Sequence, residues 1–110
     1  MARAVYSSQF IVYTTSEPNT QFEVPSGYTA VVRDFMGYVE AGLGGVLLYI
    51  QNSPEAAGCG VAYHNLAGLT ASFNDQMRVV VPEGGIITFD VFEEGENVSG
   101  YVGGYLLRND

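Results

Sequence analysis

Apolar and polar positions along this chain alternate with a period of two, the period of a β-strand rather than the 3.6 of a helix. Residues 5–14 (Val-Tyr-Ser-Ser-Gln-Phe-Ile-Val-Tyr-Thr) are rich in β-branched and aromatic side chains and predict a first strand. Ser16-Glu17-Pro18-Asn19 is a turn cluster. Residues 20–24 predict a short strand and 29–40 a long one, closed by the glycine-rich break Ala41-Gly42-Leu43-Gly44-Gly45. In 46–51, Val46, Leu48 and Ile50 share one face. A loop over 52–60 follows, then extended runs at 61–66, 70–74, 77–81, 86–92 and 98–107. The sole helical candidate, Pro54-Glu55-Ala56-Ala57, is too short to hold a helix. Nine short runs at this spacing predict an all-β sandwich or barrel.

One turn phrase occurs twice. Val24-Pro25-Ser26-Gly27 leads into Thr29-Ala30-Val31-Val32-Arg33-Asp34-Phe35. Val81-Pro82-Glu83-Gly84, 57 residues on, leads into Ile86-Ile87-Thr88-Phe89-Asp90-Val91-Phe92. In each copy Pro ends an extended run, because it fixes φ and offers no N–H to a ladder. Gly then accepts the positive φ of the turn. Two similar corners between strands predict a sandwich of two antiparallel sheets built from similar halves.

Several strands are apolar on both faces. Residues 98–107 place Val98, Val102 and Leu106 on one face, and Tyr101, Tyr105 and Leu107 on the other. A strand of a two-layer monomer needs only one dry face. The second apolar face predicts outer surface covered by another subunit or partner.

Composition sharpens this picture. The chain has 110 residues, which makes one domain (1–110). Only 15% of residues are charged, there are eight Tyr and no Lys, and Tyr-rich, Lys-poor surfaces are typical of interfaces. Four basic residues, all Arg, stand against twelve acidic ones, giving a net charge of −8. No positive footprint for nucleic acid can be assembled, and anionic membrane surfaces are disfavoured. Residues 1–4 are not followed by a secretory apolar core, and no window is long enough for a helical span. The expectation is a protein made in a cytoplasm, with residues 1–4 as an N-terminal arm. Asn97-Val98-Ser99 is then a chance sequon.

Candidate chemistry is sparse. Cys59 cannot form an internal disulfide, being the single cysteine, and the single histidine, His64, lies five residues on with no orienting third group. One His is too few for a cupin-type metal site. Glu93-Glu94-Gly95-Glu96 reads as a solvated hairpin turn without the spaced oxygen ligands Ca²⁺ needs. Asp34 and Asp90, near-equivalent in the two repeats, are placed to pair with Arg33, Arg78 or Arg108. Gly42-Leu43-Gly44-Gly45 lacks the Lys and Ser/Thr of a phosphate loop. No catalytic, metal or cofactor residues are assigned, and the chain is expected not to be an enzyme.

The order of phrases carries a resemblance. A Val-Pro-x-Gly turn precedes a Val-Val-Arg-Asp strand (Val24 to Asp34); a second Pro-x-Gly (Pro82 to Gly84) precedes the strand before a closing Ser-Gly-Tyr strand (Ser99 to Tyr101). Over roughly residues 20–107 this resembles small virion proteins of tailed bacteriophages, although the chain has no Trp and is more acidic than many of them. The resemblance implies a jelly-roll-like antiparallel sandwich of eight or nine strands. It implies a virion location, homo-oligomers, and contact with the major capsid protein or neighbouring virion proteins. The role it implies is capsid decoration, stabilising the shell from outside, with a minor tail, collar or fibre component as the alternative. The residues themselves add a second alternative: a carbohydrate-binding sandwich with Tyr101 and Tyr105 as its aromatic platform.

Overall fold

The framework is eight strands: β1 (Val5–Thr14), β2 (Gln21–Glu23), β3 (Tyr28–Gly42), β4 (Gly45–Gln51), β5 (Cys59–Asn65), β6 (Leu69–Val81), β7 (Ile86–Phe92) and β8 (Asn97–Arg108). They come from a computed structural model that describes residues 5–42, 45–65, 69–92 and 97–109. The expected arm at residues 1–4, Leu43 and Gly44 of the glycine-rich break, and the acidic turn 93–96 lie outside the described residues. Sheet A has the order β1-β8-β3-β6 and sheet B the order β2-β7-β4-β5, with antiparallel pairing throughout. The chain crosses between the sheets so that sequence neighbours seldom pair. This is the jelly-roll form of the expected antiparallel sandwich.

One predicted boundary is absent. The runs at 70–74 and 77–81 are a single strand, β6. Asp75 and Gln76 interrupt the apolar pattern but stay paired, Asp75 with Phe35 and Gln76 with Asp34, and the register shifts just beyond them, before Val79 pairs with Val32. The strand stands at the rim of sheet A. A rim strand tolerates polar residues because one side of its ladder faces water. Asp75 also has a partner on the other sheet, described below.

The core forms from the inward faces that the alternation marks. Val46, Leu48 and Ile50 of β4, Ile87 and Phe89 of β7, and Val98 and Val102 of β8 are all buried. So are Ala30, Val32 and Phe35 of β3. A line of rings crosses this core. Tyr13 stacks on Phe89 at 5.0 Å between centroids, and Phe35 meets Phe89 edge-on at 5.6 Å. Phe73 lies 5.0 Å from Phe35, and His64 stacks on Phe73 at 4.6 Å. Tyr13 belongs to one rim of sheet A, Phe73 to its other rim, and His64 to the rim of sheet B. The rings therefore span the width of the sandwich. Offset and edge-on pairs of this kind add to simple area burial.

The two copies of the turn phrase are bonded to each other. The Gly84 N–H donates to the Val24 carbonyl and the Val24 N–H to the Gly85 carbonyl, both at 2.9 Å. The Gly27 N–H donates to the Glu83 carboxylate at 2.9 Å. Val24 and Val81, equivalent in the repeat, are both buried. Gly27 and Gly84 have φ of 86° and 79°, in the left-handed region. No atom lies near where a Cβ would stand at either, so only backbone strain opposes a side chain there. Gly84→Val should therefore lower stability by more than about 1 kcal/mol in urea unfolding, and Gly84→Asn by less, since Asn tolerates positive φ. An unchanged midpoint for the valine variant would count against strain at this corner.

Candidate functional site

The outer face of sheet A carries a groove running across all four strands. Its floor is the register row Tyr13–Gly100–Gly37–Phe73. The side chains of Tyr13 and Phe73 point into the core, and the two central positions are glycines, so the outward side of this row is bare backbone. The glycines are dictated from inside. A Cβ on Gly37 would stand 2.7 Å from the Phe73 ring, and one on Gly100 would overlap the Phe89 ring. One wall is the row Val12–Tyr101–Met36–Asn74. The other is Thr14–Ser99–Tyr38–Ser72. The volume is about 610 Å³, and no lining residue is charged.

The aromatic pair here differs from the expected one. Tyr101 and Tyr105 do share the outer face, but Tyr105 is taken up by Arg33. The guanidinium donates to the Tyr105 hydroxyl at 2.7 Å and lies 5.4 Å from the ring centroid. Tyr101 lies over Gly103, where a Cβ would come within 2.6 Å of its ring. Tyr101 contributes to the groove wall from this position, and Tyr38, on the opposite wall, is 44% exposed. The sequence reading missed Tyr38, because only cross-strand register puts residues 38 and 101 on facing walls.

At the side of the sandwich, His64 of β5 meets Asp75 of β6. Nε2 of His64 is 2.5 Å from a carboxylate oxygen of Asp75, and the pair is about one-third exposed. It joins the rims of the two sheets, with the imidazole also stacked on Phe73. The geometry is that of a clasp. Cys59 does not join it: it pairs with Ile50 at the start of β5 and is exposed, whereas His64 pairs with Val46. Five strand residues separate them by roughly 15 Å.

The expected pairing of Asp34 or Asp90 with an arginine does not form among the described residues. Arg33 is committed to Tyr105, and the ion pair described is His64–Asp75. No group of three or more His, Cys, Asp or Glu side chains that could hold a metal ion occurs among the described residues. The described surface offers an uncharged groove across sheet A.

Two outcomes test this geometry. Gly100→Ala should cost about 1–3 kcal/mol by overpacking against Phe89, and Phe89→Leu in the same chain should recover part of the loss; an unaltered melting temperature for the alanine variant would contradict the packing. A double-mutant cycle with His64→Ala and Asp75→Ala should give a favourable coupling of about 1 kcal/mol or less, as befits a pair open to solvent. Strict additivity would mean that the clasp contributes nothing.

Comparison with protein-family models, with curated proteins and with solved structures found no match to this chain.

Proposed function

We propose that this protein is a non-enzymatic structural component of a bacteriophage virion, a decoration protein that binds the outer surface of the capsid and stabilises it. One observation carries the structural role: β5, the edge strand of sheet B, exposes apolar side chains. Val61 and Tyr63 are 38% and 55% exposed. β5 ends sheet B and has no Lys, Arg, Asp, Glu or proline along Cys59–Asn65. Proteins usually blunt such an edge with charge, proline or a cover, because unpaired strand edges recruit other chains. A short register shift between Leu48 and Tyr49 is the one blunting device here. A partner laid along this edge would bury the exposed side chains.

The virion setting rests on the resemblance of the turn and strand phrases to small tailed-phage proteins. A decoration protein needs many identical contacts and no chemistry, and a rigid sandwich with an exposed apolar edge strand meets that need. Its partner is the major capsid protein, with neighbouring copies of this chain completing the lattice contact. The acidic surplus of −8 keeps decorated particles dispersed.

Copy number in purified particles, measured by quantitative mass spectrometry, is the test. Hundreds of copies in fixed ratio to the major capsid protein are expected. A few to some tens would place the protein in the tail, collar or fibre, and absence would end the virion reading. Val61→Glu should reduce occupancy on particles while leaving the unfolding free energy within about 0.5 kcal/mol of the parent, as for an exposed site.

A further inference from the structure

We propose that the groove across sheet A binds a neutral oligosaccharide. This goes beyond the structural role and uses a different surface from the β5 edge. Charge selects against ionic ligands. The chain carries sixteen charged residues, four basic and twelve acidic, yet none lines the groove. Arg33, Asp34 and Arg78 lie on β3 and β6 beyond its walls. An anionic ligand would find no cation, and single-stranded nucleic acid would find rings without the basic track it needs.

The groups on the walls are mixed. Tyr38 and Tyr101 occupy diagonal positions on facing walls of paired strands, Tyr38 opposite Ser99 and Tyr101 opposite Met36. The Tyr38 ring is exposed at the groove, while the Tyr101 ring leans over Gly103. A sugar ring has apolar C–H faces that lie against such rings, and hydroxyls at its rim that seek short polar side chains. Ser72, Asn74 and Ser99 supply those at the groove's edges, and they make no side-chain hydrogen bond among the described residues. The Asn74 amide both donates and accepts, as does each serine hydroxyl, which suits the dual character of a sugar hydroxyl.

The groove is also the right shape. The floor is backbone because Gly37 and Gly100 are held side-chain-free by Phe73 and Phe89. The trough crosses four strands, so it is about 15 Å long. Its 610 Å³ falls within the usual range of small-ligand sites, about 300–1,000 Å³. An elongated neutral ligand of several linked rings fits this better than a compact one. Only Val12 and Tyr38 among the lining residues are strongly exposed apolar side chains, fewer than the dry centre of a protein interface requires.

The test is an NMR titration of the full chain with maltotriose, cellotriose and chitotriose, with sialyllactose as an acidic comparator, alongside a broad glycan array. At least one neutral sugar should shift the amides of Val12, Met36, Tyr38, Ser72, Ser99 and Tyr101. Tyr38→Ala should weaken that binding about tenfold, whereas Tyr38→Phe, which keeps the ring, should not. Tyr38 is exposed, so neither variant threatens the fold. No groove shift with any of the three and no neutral hit on the array overturns the proposal. So does binding of the acidic sugar alone, or a dependence of the groove shifts on protein concentration, which would assign the groove to a second copy of the chain. These outcomes are independent of copy number in particles, so the sugar site and the virion role stand or fall separately.

Discussion

The line of rings from Tyr13 through Phe89, Phe35 and Phe73 to His64 is the constraint on which the rest of the sandwich depends. Rings of this size between two sheets leave no room for a side chain on the backbone they press against. Positions 37 and 100, paired in the middle of sheet A, therefore have to be glycine. What closes the inside opens the outside, because a row without outward side chains becomes a floor. The groove is thus a by-product of core packing, not a separate feature laid on the surface. The line ends at His64, and there the Asp75 carboxylate holds the imidazole and ties one sheet to the other.

The paired corners organise the opposite requirement, the register of both sheets. Val24 and Val81 close the core at equivalent places, and each turn satisfies backbone groups of the other. The Glu83 carboxylate reaches the N–H of Gly27, so the acidic residue of one copy caps the glycine of its counterpart. Slipping either strand by one residue would carry its inward apolar set to the wet face. A similar short phrase written twice fixes two registers together.

Much of this was legible in the residues. The inward positions of β4, β7 and β8 follow from alternation, and the positive φ of Gly27 and Gly84 from the Pro-x-Gly phrase. The two apolar faces of β8 appear as read, with Val98 and Val102 inside and Tyr101 and Tyr105 outside. The continuity of β6 was not legible, because Asp75 and Gln76 look like a turn until the strand is known to be a rim. Nor was the groove, since Tyr38 and Tyr101 are 63 residues apart and meet only through the β3–β8 register. His64 offered no signal of its partner for the same reason: the sequence orders neighbours along strands, and the clasp joins neighbours across layers.

The pairing of β1 with β8 carries a consequence for how the molecule is made. Val5 lies opposite Leu107 and Thr14 opposite Ser99, so the first strand finds its partner only in the last. β3 likewise depends on β8 for one side of its ladder along nearly its whole length. During synthesis at a ribosome, sheet B can assemble from β2, β4, β5 and β7 while β1 and one side of β3 stay unsatisfied. Sheet A then closes in a single late step, when β8 slides between β1 and β3. Such a chain meets its longest loop closure last, and its exposed strands depend on that step being faster than encounter with other nascent chains.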